Sequence, residues 1–207
     1  TGSSAISIGC YTPDWTGGIY NSFTYKGLSL GFLIDMQKGG DIWSLDMYYG
    51  LSSGLYPETA FTNDLGNPVR DPIVGTPGNY GAKSGGYIIE GVNVVNGVST
   101  PNKTRVNASD ADGFGTGALP KSAFVYDASY VKLREVSISY NLPSQLLNRT
   151  FIKKVTLSAV GSNLWIIHKN LPYADPESGM TAGNIQGYST GSLPTTRDFS
   201  FSIKLNF

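Results

Sequence analysis

The residues able to do chemistry are few and scattered. His168 is the sole histidine of 207 residues, so any Ser-His-Asp arrangement would have to run through it. It stands beside Lys169 and Asn170, where a strand pattern gives way to a loop, and reads as a solvated loop histidine. Cys10 is the sole cysteine, which excludes an internal disulfide and a cysteine-based zinc site. Its context, Ser7-Ile8-Gly9-Cys10, has neither the basic segment nor the long apolar segment that precedes a lipid-anchored cysteine, so a buried or loop thiol is expected. Asp110-Ala111-Asp112-Gly113 looks like half of a calcium loop, but the further ligands are not at EF-hand spacing. Gly113, Gly115 and Gly117 lack the strand, helix and lysine of a phosphate loop. Asn102, Asn107 and Asn148 each open an Asn-x-Ser/Thr triplet, a near-chance number in this composition. No catalytic constellation, metal or cofactor is expected, and the chain does not read as an enzyme.

The composition points to a different kind of work. Lysine plus arginine is 15 and aspartate plus glutamate is 15, so the formal charge is zero and a nucleic-acid partner is disfavoured. Charged residues are 14% of the chain, against about 25% in an ordinary soluble domain, while aromatics reach 12% and glycine 26 residues. Such a surface is poorly suited to water. Apolar residues at 40% argue against disorder. The longest apolar runs, such as 164–167, are four residues, where a membrane-spanning helix needs about 20. A transmembrane strand needs only about 9 to 11 alternating residues, and the mean hydropathy of -0.11 hides such strands.

Alternation is clear in several places. From Asp198 to Phe207 each odd position is large and apolar and each even one polar, which predicts a strand with one greasy face. A second strand runs from Leu28 to Gln37, with Leu28, Leu30, Phe32, Ile34 and Met36 on one side and Ser29, Gly31, Asp35 and Gln37 on the other; Leu33 alone breaks the polar set. Ile19 to Tyr25 is a shorter aromatic-rich strand, joined to the second through Lys26-Gly27 as a tight hairpin. Tyr130 to Tyr140 is a fourth, with a phase shift around Arg134-Glu135 that predicts a β-bulge. Val155 to about Ile167 is a fifth, less regular.

The connections alternate in length. Turns at 26–27 and 141–154 are short, whereas 39–129 and 168–197 are roughly 90 and 30 residues long, the pattern of an outer-membrane barrel with periplasmic turns and extracellular loops. A soluble β-sandwich also alternates, but loops of that length are uncommon in compact domains. Membrane barrels start at about eight strands, and an open sheet would leave edge amides unpaired in hydrocarbon. The expected fold class is therefore all-β, with residues 1–207 supplying about five or six strands of a larger antiparallel transmembrane barrel, incomplete alone. The absence of a signal peptide fits a fragment, read as the C-terminal portion.

The residues carry a resemblance as well. Pro13-Asp14-Trp15-Thr16-Gly17-Gly18, Asn21, Tyr25-Lys26-Gly27, Ile34-Asp35 and Gly39-Gly40-Asp41-Ile42 are followed by Ala128-Ser129-Tyr130-Val131-Lys132-Leu133-Arg134-Glu135-Val136-Ser137-Ile138-Ser139-Tyr140. Then come Gly161-Ser162-Asn163-Leu164, Asp175-Pro176-Glu177 and the closing Phe199 to Phe207 strand. In this order they resemble the late barrel of the SusC/RagA-type TonB-dependent outer-membrane transporters of the Bacteroidetes, with Pro57 to Lys121 the weakest part. The resemblance implies a plugged barrel of about 22 strands, energised through the TonB complex, with a SusD-like surface lipoprotein as a lid. The plug and TonB box are not in this sequence. The resemblance also makes Phe207 the terminal residue of the barrel-assembly signal, with the C-terminus periplasmic.

Candidate residues follow from the faces. Leu28, Leu30, Phe32, Ile34, Met36, Phe199, Phe201, Ile203 and Leu205 are expected to face lipid, and Asp35, Gln37, Lys204 and Asn206 the lumen, against plug, water or solute. Trp43, Tyr48, Tyr49 and Tyr56 are candidates to stack on sugar rings or to pack beneath a lid protein. The leading reading is an importer of oligosaccharides or peptides. Alternatives are a SusC-like barrel serving as an accessory subunit of a larger outer-membrane complex, and a secreted glycan-binding β-sandwich.

Overall fold

The computed structural model describes residues 6–107, 119–148, 150–180 and 183–207. Asp110 to Gly113 and the glycines Gly113, Gly115 and Gly117 lie outside them. The chain forms two compact units, one built on Gly9–Ile42, Tyr126–Tyr188 and Ser192–Phe207, the other on Trp43–Val125 with short terminal and late segments.

The first unit carries a five-stranded antiparallel sheet. Its strands are β1 (Trp15–Tyr25), β2 (Leu28–Lys38), β3 (Tyr130–Asn141), β4 (Lys154–Lys169) and β5 (Asp198–Asn206). Each pairs with its neighbour in sequence, so the sheet is an up-and-down meander, open at β1 and β5. The first and fourth strands extend beyond their predicted ends, and His168 falls inside β4, opposite Val131, instead of in a loop. It remains exposed there. Cys10 is an exposed loop thiol.

Register puts like with like. Phe23, Leu30, Ile138, Ala159 and Phe201 form one row across all five strands, and Tyr25, Leu28, Tyr140, Leu157 and Ile203 form the next. On the opposite face, Thr24, Ser29, Ser139, Ser158 and Ser202 form a polar row. The period-2 pattern of each strand thus becomes a two-faced sheet. Lys26 and Gly27 sit at φ 45° and 84°, the left-handed pair that a two-residue hairpin needs to match strand twist. Leu133 pairs with Ile34 and Glu135 with Leu33, so Arg134 is an extra residue relative to β2, and the expected bulge is present. Both long connections leave the end of the sheet where Lys38 and Tyr130 lie. Phe207 lies at the other end, its ring stacked 5.5 Å from that of Phe151.

The apolar face is not buried within the chain. Phe201 is 81% exposed and Phe23 58%. The unit's small core lies elsewhere, in Ile42, Ala128 and Leu171 with Tyr126 and Ala174 packed on it.

The second unit begins with helix α1 (Leu45–Ser52), capped by Ser44, whose Oγ accepts from the Met47 N–H at 3.1 Å. Gly50 lies against the Tyr56 ring so closely that a Cβ there would come within 2.3 Å of it. Short hairpins follow, among them Val92–Val95 with Val98–Pro101, turned by Asn96-Gly97. The interior of this unit mixes apolar side chains, Met47, Leu51, Val69 and Phe124, with buried polar ones. Asn63 Nδ2 donates to the carbonyls of Ser84 and Gly86, and its Oδ1 accepts from Leu65 and Asn67. Arg105, 5% exposed, reaches the carbonyl of Gly86 and both oxygens of Asp64.

Candidate functional site

The polar face of the sheet holds a cluster of charges. Lys132 and Arg134 sit two apart on β3, and the bulge between Leu133 and Glu135 lets both project to the polar side. Asp35 comes from β2, opposite Lys132. Asp175 and Glu177 come from the connection between β4 and β5, in a short 3-10 turn, Pro176–Gly179. The turn is built locally: Asp175 caps it by accepting from the Glu177 N–H at 3.0 Å, and Pro176 suits its first position.

These side chains close on one another. Lys132 Nζ donates to Asp175 Oδ1 at 2.6 Å and also to Glu177. Arg134 grips Glu177 with both terminal nitrogens, at 2.7 and 3.0 Å, and pairs with Asp35 as well. Tyr130 Oη lies 3.3 Å from both Asp35 and Glu177. Asn163 accepts from Arg134 at 3.0 Å and donates to the carbonyl of Thr196 at 3.1 Å. Lys132 and Asp175 are 3% and 5% exposed, so their pairing is largely desolvated. Three carboxylates meet two cations, a formal balance of -1. Burial raises the Asp175 carboxyl, but hydrogen bonds from Lys132, Thr195 and the Glu177 backbone outweigh it and hold the group down at about 2. Glu177 is likewise below the usual carboxylate range: burial opposes, and Arg134 and Lys132 prevail.

The arrangement is saturated. It pairs each carboxylate with a cation and offers no nucleophile beside a base. What it does is fasten the β4–β5 connection to the wall formed by β2 and β3. Among the described residues no group of three or more His, Cys, Asp or Glu is placed to hold a metal ion.

The candidates read from sequence distribute unevenly around this cluster. Asp35 is part of it. Gln37 is on the same face one pleat further on, 5% exposed. Lys204 and Asn206 are on the polar face of β5, far from it in register, opposite Thr156 and Lys154. Leu28, Leu30, Phe32, Ile34, Met36, Phe199, Phe201, Ile203 and Leu205 share the opposite face. In the second unit, Trp43, Tyr48 and Phe124 pack together, with Tyr48 5.3 and 5.2 Å from its two neighbours, and the Trp43 indole N–H donates to the Lys121 carbonyl. Tyr56 lies on Gly50, which leaves Tyr49, 58% exposed, as the most open of the four rings. Lys132, Arg134, Asp175 and Glu177 were visible in sequence only as motif residues. Two cations at strand spacing opposite an Asp-Pro-Glu turn were the available sign, but their meeting depends on a fold across some 40 residues.

No protein-family model matches the chain. Among curated proteins it is 25% identical over 209 residues to TonB-dependent receptor P26 of Formosa agariphila, covering 98% of this chain and 18% of that protein. It is 27% identical over 206 residues to TonB-dependent receptor P3 of the same organism, covering 97% and 17%. The chain therefore spans less than a fifth of the length of these relatives. Among solved structures it resembles the RagAB peptide importer in its closed-closed state, with a TM-score of 0.58 at 19% identity over 98% of this chain and 18% of that one. The open-open state gives 0.56 over 95% and 17%. These structures share the fold, and the open meander matches part of their barrel wall. Along nearly its whole length the chain is thus similar in sequence to part of two TonB-dependent receptors, and in fold to part of the barrel of a solved peptide importer.

Proposed function

We propose that the chain is part of the wall of a TonB-dependent outer-membrane importer for oligosaccharides or peptides. The observation that carries the reading is the apolar face, exposed on every strand and continuous in register, set back to back with buried ion pairs. A soluble sheet would bury that face. In this reading Leu28, Leu30, Phe32, Ile34, Met36, Phe199, Phe201, Ile203 and Leu205 meet lipid, while Asp35, Gln37, Lys204 and Asn206 look into the lumen. Residues 39–129 and 168–197 are then extracellular, 26–27 and 141–154 periplasmic, and Phe207 is the periplasmic end recognised by the barrel-assembly machinery. The open edges at β1 and β5 pair with the rest of the same barrel, because unpaired amides in hydrocarbon cost several kcal/mol each.

The partners follow from the family: a SusD-like surface lipoprotein over the extracellular loops, with Tyr49 a contact for it or for solute, and the TonB complex acting through parts outside this chain. Relatives named as receptors and a solved peptide importer support transport over catalysis. Deleting the gene should abolish TonB-dependent growth on one oligosaccharide or peptide source and leave other nutrients unaffected. A parent protein that stays in solution without detergent, or separates from the outer membrane on fractionation, would sink the reading.

A further inference from the structure

The connection between β4 and β5 does not stand clear of the sheet; it turns back along the polar face. Lys132, which holds Asp175, is opposite Asp35 on β2, and Asp35 lies inside the strand's last residue, Lys38. At about 3.3 Å per residue, the carboxylates of the 3-10 turn are thus held roughly 10 Å inside the end of that strand. The returning limb, 192–197, is tied in beside them. Thr195 Oγ1 donates to Asp175 Oδ2 at 2.6 Å, and the Thr196 carbonyl accepts from Asn163, which also bonds Arg134. Accordingly β5 begins only at Asp198, opposite Ser162, while β4 runs on to Lys169. The turn is gripped from more than one side. Besides the desolvated ion pairs, Pro176 is fully buried, and Gly179 packs so closely on Ile42 that a Cβ there would come within 2.7 Å of Ile42 Cδ1. Leu193, on the returning limb, is 93% exposed.

We propose that the limbs 175–179 and 192–197 form a fixed constriction inside the mouth of the barrel, which sets the largest solute cross-section that the entrance admits. The inference rests on the importer reading, in which the polar face lines the lumen and the Lys38 end of the sheet is extracellular. A layer of chain packed on a sheet takes up about 10 Å, so the limbs narrow the entrance by that much on this side. Lys132 and Arg134 are positioning residues here. They act on passage through the turn they hold, and need not touch the solute.

The test reads the width of the entrance with thiol reagents of two sizes. The full-length parent receptor carries Cys10→Ser and Leu193→Cys, and intact cells are treated with a small membrane-impermeant maleimide or with a large polyethylene-glycol maleimide. Val94→Cys, on a hairpin exposed along both strands, is the control. The small reagent should modify both sites, and the large one Val94→Cys alone. Releasing the turn with Asp175→Ala and Glu177→Ala together, or with Gly179→Leu where that pair blocks assembly, should let the large reagent reach Leu193→Cys. Modification of Leu193→Cys by both reagents in the unreleased receptor, even slowly, overturns the constriction. So does exclusion of both, or continued exclusion of the large reagent after release with normal heat-modifiable gel mobility. If Val94→Cys reacts only after lysis, the outer-membrane reading falls and takes the constriction with it; if Val94→Cys reacts and TonB-dependent growth is intact, a failure at Leu193→Cys removes the constriction alone.

Discussion

The sheet and the unit that follows β2 hold themselves together by opposite means. The sheet sorts its side chains by face: apolar rows stand exposed on one side, and charges are buried on the other, where Lys132 and Asp175 are nearly inaccessible. The second unit has no such sorting. Its interior combines Val69 and Phe124 with Thr59, Ser84, Asn63 and Arg105, and polar side chains hold the backbone from within. The contrast teaches that the solvent sets the pattern. In the proposed barrel, a wall between lipid and an aqueous lumen must repeat every second residue, whereas a connection outside the membrane need only satisfy its backbone groups wherever they fall.

The contrast can be broken most directly at Lys132. Replacing it with alanine strands Asp175 in a nearly inaccessible position and should cost about 3 to 5 kcal/mol, read as a lower temperature for barrel unfolding on heat-modifiable gels of the full-length protein. Lys38→Ala is the control: its pair with Asp127 spans 3.5 Å between exposed side chains and should be worth at most about 1 kcal/mol. Next in size, Phe201→Lys at mid-strand on the apolar face should cost about 2 to 4 kcal/mol, and Ser202→Lys on the other face much less. Equal losses would mean that the faces do not meet different solvents.

Asn63→Ala tests the other region. It removes two donors and two acceptor contacts at a buried side chain, and should cost about 1 to 3 kcal/mol locally. Faster proteolysis within 57–107, with barrel unfolding unchanged, is the expected result; a matching fall in barrel stability would show that the two regions are one cooperative unit. The smallest effect concerns pH. Asp175 is held at about 2, below an unfolded value near 3.9. Its folded value is depressed, so the stability it lends is complete above about pH 4 and is lost as pH falls toward 2. Protection of the β4–β5 connection from an acid-active protease should therefore hold from neutral pH to about 4 and fail below; loss already near pH 6 would point to another group.

Much of the sheet was legible, and for a reason that the second unit makes plain. Lys26-Gly27 announced a hairpin, and the slipped phase at Arg134-Glu135 announced a bulge, because both are consequences of period 2 in a short stretch of chain. The same reading passed over Asn96-Gly97, an equally strong turn signal, since its flanking valines are too few to show a period. The packing of the aromatic candidates in the second unit was not legible. Trp43 and Tyr48, candidates to stack on sugar rings or to pack beneath a lid protein, pack with Phe124, a neighbour some 80 residues away in sequence.

By itself the sequence determined the strand faces and the short turns, because alternation and glycine geometry are local. Tertiary structure decided the rest: that Asp175 and Glu177 reach back to Lys132 and Arg134, that Gln37 is buried, and that the second unit is held by asparagine and arginine. Those outcomes depend on which distant side chains arrive within hydrogen-bonding reach, a question of loop closure and register that no local pattern encodes.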